Sequence, residues 1–215
     1  MTAVTLPGTG AAVAVDLVSA ENHQLVKIEF GAAGSVTQVS AANPLPVTMG
    51  ASSATYAAAI SGLVPAALAT DVFVINGSAS KTIRISKINV NGVQATAGQV
   101  AISVIKRSTA NTGGTSTTPT RTPYDSANAA ATATVLAYTA NPATLGTVVG
   151  TITASRLFVP GVASATDAQG FTMITGDVGQ QFVTLRGIAE NLAINLNGVT
   201  ITGGAVNVTF EWTES

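Results

Sequence analysis

The stretch AVNVTFEWTE (205–214) alternates between apolar and polar residues. A period of two places successive side chains on opposite faces of an extended chain, so this pattern predicts a β-strand with one face in a core. The face expected to point inward carries Val206, Val208, Phe210 and Trp212. The opposite face, expected to point outward, carries Asn207, Thr209, Glu211 and Thr213.

Short runs of the same kind recur from residue 71 to the end of the chain. They are rich in Val, Ile and Thr, and turns containing Gly, Asn or Pro separate them. The runs lie at 71–92 (two runs around the turn Asn76-Gly77), 99–108, 132–139, 147–160, 171–175, 180–189, 191–198 and 205–214. Roughly eight or nine short strands predict an all-β sandwich. This strand number favours a jelly-roll-like arrangement, and a Greek-key sandwich of another topology is the alternative.

Two positions are expected to interrupt the regular strands. In the run IRISKINV (83–90), the isoleucines change parity near Ser86-Lys87, which predicts a β-bulge. Gly150 lies inside the run 147–160, where a glycine predicts a bend or a bulge.

A long polar segment, 109–130, separates two of the predicted strands. Its content of Thr, Ser, Gly and Pro argues against regular structure within it, and loops of this length usually have a function. We therefore expect a contact loop, with Arg121, Tyr124 and Asp125 as its candidate contact residues.

The N-terminal part of the chain has a different character. HQLVKIEF (23–30) alternates like a strand or a β-arm, and residues 30–70 then contain no charged side chain. Within that stretch, the prolines of NPLPVT (43–48) impose a stiff, extended backbone. We expect residues 1–70 to form an extended anchoring arm on a protein surface, with 71–215 as the sandwich domain. A disordered linker is the alternative, and 55–63 has room for one or two helical turns.

Composition points to a protein whose surface is covered by other protein copies. Charged residues make up 9% of the 215 residues, against roughly 25% in ordinary soluble proteins. The mean hydropathy is +0.44, but the chain lacks a run of about 18 strongly apolar residues, so we expect no membrane span. A chain so poor in charge has little to keep it soluble alone.

Residue types that commonly act in catalysis or bind metals are scarce in the chain. The chain has no cysteine, its one histidine is His23 in the predicted arm, and its acidic residues are scattered. We therefore expect no metal site, no cofactor and no catalysis. A net charge of −1 argues against nucleic-acid binding; the nearest approach to a basic patch is Lys81, Arg84, Lys87, Lys106 and Arg107, expected to be spread along strand faces.

Two stretches resemble virion structural proteins of tailed bacteriophages. HQLVKIEFGAAGSVTQVSAANPLPVT (23–48) is similar to an N-terminal segment that recurs in such proteins, with a strand, a Gly-rich turn and then an Asn-Pro-Leu-Pro-Val motif. The stretch 104–150 is similar to the body of small β-rich phage structural proteins. Together they cover about a third of the chain.

The resemblance implies a non-enzymatic protein of the virion, assembled in the cytoplasm of the bacterial host; the N-terminus MTAVTLPGTG also lacks the pattern of a secretory signal. Our first hypothesis is a capsid decoration (cement) protein, a homotrimer that binds the major capsid protein through its arm. The alternative is a tail, collar or baseplate protein whose β domain contacts another tail protein or a host receptor. A polysaccharide-cleaving enzyme is a third hypothesis. The arm contacts would be Leu25, Val26, Ile28, Phe30, Asn43, Pro44, Leu45, Pro46 and Val47.

Overall fold

A computed structural model describes residues 39, 40, 42, 53–163, 170–177 and 179–215, together with the backbone of five short strands within residues 2–38. The chain separates into two compact units, Met1–Ala51 and Ser52–Ser215.

The first unit contains two small antiparallel sheets. Strands β1 (Thr2–Val4), β2 (Val13–Val18) and β3 (Glu21–Gln24) form one sheet in the order β1-β2-β3. Strands β4 (Glu29–Phe30) and β5 (Thr37–Gln38) form the other. The strand predicted over 23–30 corresponds to β3 and β4 at its two ends, and the residues between them lie outside the described part.

The second unit is all-β, as predicted. Its strands are β6 (Ala54–Leu63), β7 (Ala69–Asn76), β8 (Ile83–Val93), β9 (Gly98–Arg107), β10 (Thr115–Thr117), β11 (Arg121–Pro123), β12 (Thr134–Ala140), β13 (Val148–Val159), β14 (Phe171–Ile174), β15 (Val183–Leu185), β16 (Asn191–Val199) and β17 (Ala205–Glu214). They form two antiparallel sheets. Sheet I has the order β10-β12-β7-β16-β9-β13, and sheet II has the order β11-β6-β17-β8-β14, with β15 also paired to β8.

The strands of this unit pair in a nested way. The first strand, β6, pairs with the last, β17, and the second, β7, pairs with the second last, β16. Further in, β8 pairs with β14 and β15, and β9 pairs with β13. These strands therefore form one long antiparallel hairpin, in which β6 to β9 are the first leg and β13 to β17 are the second.

A large apolar core combines side chains from both sheets, and a smaller buried cluster contains Val74, Tyr138 and Ala193. The alternation read from 205–214 is confirmed, because Val206, Val208, Phe210 and Trp212 are all buried there. Two aromatic pairs lie in this core: Tyr56 with Trp212 at 5.9 Å between ring centroids, and Phe73 with Phe210 at 5.2 Å.

Both predicted irregularities are confirmed. In the pairing of β8 with β17, Lys87 lies opposite Glu211 and Ile85 lies opposite Trp212, so Ser86 is an extra residue on β8. This bulge lets isoleucines of both parities reach the core. The pairing of β13 with β9 also shifts register between Val148 and Gly150.

The strand β6 differs from the sequence prediction. Residues 54–63 were expected to belong to the arm or to form helical turns, but they form a ten-residue strand between β11 and β17. Tyr56, Ala58 and Leu63 of this strand are buried in the core. The compact β unit therefore begins at Ser52, not at residue 71. The sequence did not predict this strand, because its mostly small residues give only a weak alternation between apolar and polar positions.

The two runs around Asn76-Gly77 belong to different sheets, since β7 lies in sheet I and β8 lies in sheet II. One further expectation needs correction. The segment 109–130 contains regular structure, because β10 joins the edge of sheet I and β11 joins the edge of sheet II.

Candidate functional site

All three named residues of the predicted contact loop make hydrogen bonds within the β unit. Arg121 is half-buried, and its Nη1 donates hydrogen bonds to the carbonyl oxygens of Ala131 (3.2 Å) and Ala133 (2.7 Å). The Asp125 carboxylate accepts a hydrogen bond of 2.9 Å from the backbone N–H two positions later. The Tyr124 backbone N–H donates a hydrogen bond of 2.9 Å to the Thr55 carbonyl oxygen, and its side chain is 61% exposed.

The predicted arm contacts lie almost entirely outside the described residues. This holds for Leu25, Val26, Ile28, Asn43, Pro44, Leu45, Pro46 and Val47. Phe30 is placed on β4 by its backbone. The arm contacts stay predictions.

One side of the sandwich is open. Strand β13 is the last strand of sheet I, and β14 and β15 lie at the same end of sheet II, so no described residue pairs with their outer edges. We call the outer edges of β13, β14 and β15, with the clefts between them, the open edge. A free sheet edge presents unpaired N–H and C=O groups that pair readily with another strand.

Strand β13 is an unusual edge strand. It is 12 residues long, Arg156 is its one charged residue, and four of its large apolar side chains are exposed. These are Val148 (55%), Val149 (61%), Ile152 (44%) and Phe158 (36%). Soluble proteins usually protect such edges with charges, prolines or bulges. Two register shifts near its N-terminal end give partial protection, but from 153 to 159 the pairing with β9 is regular.

The larger of the two clefts at the open edge is cationic. It has a volume of about 730 Å³ and lies between β13 and β15. The side chains that line it include Arg84, Lys106, Arg186, Glu190, Ile152 and Phe182. Three basic groups therefore face one carboxylate.

Neighbouring groups hold these charges in position. Lys106 Nζ lies 3.4 Å from Glu190 Oε2 and donates a hydrogen bond of 2.9 Å to the Thr184 carbonyl oxygen. The guanidinium groups of Arg84 and Arg186 bond to the hydroxyl groups of Ser215 and Thr82. Neither guanidinium has a carboxylate within ion-pair distance among the described residues, so both remain available to an anionic partner.

The second cleft continues along the open edge with a volume of about 270 Å³. It lies between β13 and β14 and is lined by residues 155–158 of the first strand and 170–172 around the second. Arg156 contributes a further positive charge, and it too has no ion-pair partner in the described part of the chain.

Sequence reasoning noticed some of these basic residues but not their grouping. Of the residues considered as a patch, the fold brings Arg84 and Lys106 into one cleft and sends the others elsewhere. Arg107 is buried against Asp71, and Lys87 pairs with Glu211 at 3.2 Å. Strand parity gives the face of each side chain, but it does not give which edges of two sheets lie together.

Within the described ranges, no three His, Cys, Asp or Glu side chains are grouped so as to hold a metal ion. In that same part, no helix has the length and apolar character needed to cross a bilayer.

No protein-family model matches the chain, and comparisons with curated proteins and with solved structures return no match.

Proposed function

We propose that the protein is a non-enzymatic structural protein of a tailed-phage virion, and specifically a capsid decoration protein that binds the major capsid protein and stabilises the head. The observation that carries the assembly role is the open edge of the sandwich. A long, nearly uncharged edge strand with exposed apolar side chains is an aggregation hazard in a free monomer, so it is best explained by a partner that covers it.

The low charge of the whole chain supports the same role. Only 9% of the residues in the chain are charged, so the chain has little charge to keep it soluble unless other protein surfaces cover it. The virion assignment itself rests on the resemblance of 23–48 and 104–150 to phage structural proteins. Multivalent attachment to a repeating capsid lattice would turn weak individual contacts into a stable clamp.

We also propose that the sandwich is a jelly roll. The nested pairing of β6 with β17, β7 with β16, β8 with β14, and β9 with β13 supports this topology, since it is what a long hairpin wrapped into two sheets produces. In this proposal the segment 109–130 follows β9 in the chain and crosses to the opposite edges of the two sheets, and the protein assembles as a homotrimer.

A tail, collar or baseplate protein is the second candidate. The cationic cleft with Arg84, Lys106 and Arg186 favours it, because a cleft of about 730 Å³ is large enough to hold part of an anionic receptor or a neighbouring tail protein.

Copy number in purified particles separates the two candidates. Quantitative mass spectrometry of particles of the phage that encodes this chain gives the ratio of this protein to the major capsid protein. A ratio of the same order as one supports head decoration, whereas a copy number like that of a tail or collar ring supports the alternative. Absence from the particles would contradict both.

A further inference from the structure

The open edge is more basic than the rest of residues 52–215. Residues 52–215 contain eight basic and seven acidic residues, a net charge of +1. Four of those eight basic residues line the two clefts, together with one acidic residue, Glu190. The basic residues are Arg84, Lys106, Arg156 and Arg186.

The first unit has the opposite charge. Its residues 1–51 contain three acidic residues, Asp16, Glu21 and Glu29, and one basic residue, Lys27, so their net charge is −2. These acidic residues lie on short strands: Asp16 on the central strand β2, Glu21 on the edge strand β3 and Glu29 on β4. The chain therefore carries an acidic, strand-forming region and a basic, strand-accepting edge.

We infer that the open edge binds the acidic N-terminal region, residues 1–51, of a second copy of this chain. An added strand satisfies the free backbone groups of β13, and its apolar side chains cover those exposed on that strand. Its carboxylates meet Arg156 and Arg186, the two exposed guanidinium groups of the open edge. Every assembly of this chain contains the acidic region and the basic edge in equal number, so the contact propagates from copy to copy.

This inference deepens the proposed self-assembly and rests on it, but it does not depend on the position of the protein in a particle. A second copy is preferred over other acidic proteins because its charge and its strand-forming sequence are both known. Pairing of two β13 strands with each other would bring their arginines into one interface and leave the cationic clefts unused.

Paired charge reversals in the full-length protein test the contact. The edge variant is Arg156→Glu/Arg186→Glu, and the arm variant is Asp16→Lys/Glu21→Lys. We expect the wild-type chain to self-associate in sedimentation velocity at low ionic strength. Each variant alone should associate at least about tenfold more weakly, because the contact loses two ion pairs and gains like charges.

Mixing the two variants gives the decisive result. The acidic arm of the edge variant fits the unchanged edge of the arm variant, and the basic arm of the arm variant fits the reversed edge. We therefore expect the equimolar mixture to regain association. Such complementation requires arm and edge to come from different copies.

A matched control places acids at the other end of sheet I. Ser116→Glu/Thr117→Glu alters two exposed residues of β10 and should leave association unchanged. Circular dichroism and thermal unfolding show whether each variant keeps its sandwich. A monomeric wild-type chain, an edge variant that associates like wild type, or a mixture that stays dissociated although both variants are folded would each overturn the inference.

The outcomes also keep this inference separate from the proposed function. A protein present in particles but monomeric in solution would overturn the arm–edge contact and leave the virion role standing. Complementation in solution by a protein that is missing from particles would support the arm–edge contact and contradict the virion role.

Discussion

Arg107 and Asp71 form two hydrogen bonds, Nε to Oδ2 at 2.8 Å and Nη2 to Oδ1 at 2.9 Å, although their strands are not neighbours. Strand β16 lies between β9 and β7, and its Asn195 donates a further hydrogen bond of 2.6 Å to Asp71. Arg107 also donates to the Gly146 carbonyl oxygen at 2.8 Å. Both charged side chains are almost completely buried, so this ion pair joins three strands and a loop.

Removing one partner of this pair should be costly. We expect Asp71→Ala to lower the free energy of unfolding by about 3–5 kcal/mol, because it leaves the Arg107 guanidinium buried without a counter-charge. Urea denaturation followed by tryptophan fluorescence measures the loss, since Trp212 lies in the core. As a control, Glu211→Gln removes the partly exposed pair with Lys87 and should cost less than about 1 kcal/mol. Equal losses in the two variants would contradict the structural role of the buried pair.

The carboxylate of Glu214 should make stability depend on pH. Burial alone raises the pKa of Glu214, but hydrogen bonds from Thr132, from the Trp212 indole and from the Ala133 backbone outweigh it, so the pKa lies below its usual value. A lowered folded-state pKa stabilises the protein above the unfolded pKa of about 4.3, and this contribution is lost as the pH falls through the folded-state value.

Glu214→Gln tests this dependence. The variant should be less stable than wild type at neutral pH by about 1–3 kcal/mol, since an ionised acceptor of several hydrogen bonds becomes a neutral amide. The difference in unfolding free energy should shrink as the pH falls below the unfolded-state pKa. A difference that stays constant down to acidic pH would show that ionisation of Glu214 does not contribute.

Two glycines provide a matched test of close backbone packing. A Cβ added at Gly204 would lie 1.9 Å from the carbonyl oxygen of Val93, whereas one added at Gly150 would meet nothing within 4 Å. Gly204→Ala should therefore destabilise the sandwich by about 1–3 kcal/mol through overpacking. Gly150→Ala should change stability by less than about 0.5 kcal/mol, as is usual for a surface substitution. Thermal unfolding of the two variants distinguishes these expectations, and similar values for both would contradict them.

The start of the β unit is testable with two fragments. Residues 52–215 should fold as a cooperative unit because they include β6, which pairs with both β11 and β17. Residues 71–215 should not, since they lack Tyr56, whose ring stacks on Trp212 and whose hydroxyl donates a hydrogen bond to the Ala129 carbonyl oxygen. Circular dichroism with urea titration gives the comparison. A stable 71–215 fragment would support the domain boundary at residue 71 that the sequence predicts.

The fragment 52–215 also tests the anchoring role of the N-terminal region. We expect 52–215 to remain folded and to lose binding to purified particles, because the proposed arm is missing. Co-sedimentation with particles that lack the native protein measures this binding, with the full-length chain as the reference. Particle binding by the fragment would refute the anchoring role and leave the sandwich as the attachment site.

The sequence determined the local features of the β unit. Alternation along β17, the parity change at Ser86 and the glycine at 150 are all properties of neighbouring residues, and each has the structural consequence expected of it. It did not reveal β6, because alanine and serine side chains give a weak contrast between the faces of a strand. Nor did it reveal the burial of Arg107, whose partner lies 36 positions earlier in the chain.

The tertiary structure alone decided which strands pair, which edges stay free and which charges meet. Pairing between β6 and β17 joins residues almost at opposite ends of the unit, and it depends on hydrogen bonds and apolar contacts that no local pattern encodes. The open edge exists because β13 ends one sheet where β14 and β15 end the other. Periodicity along a chain fixes the face of each side chain, whereas the neighbour across a sheet is fixed by contacts distant in sequence.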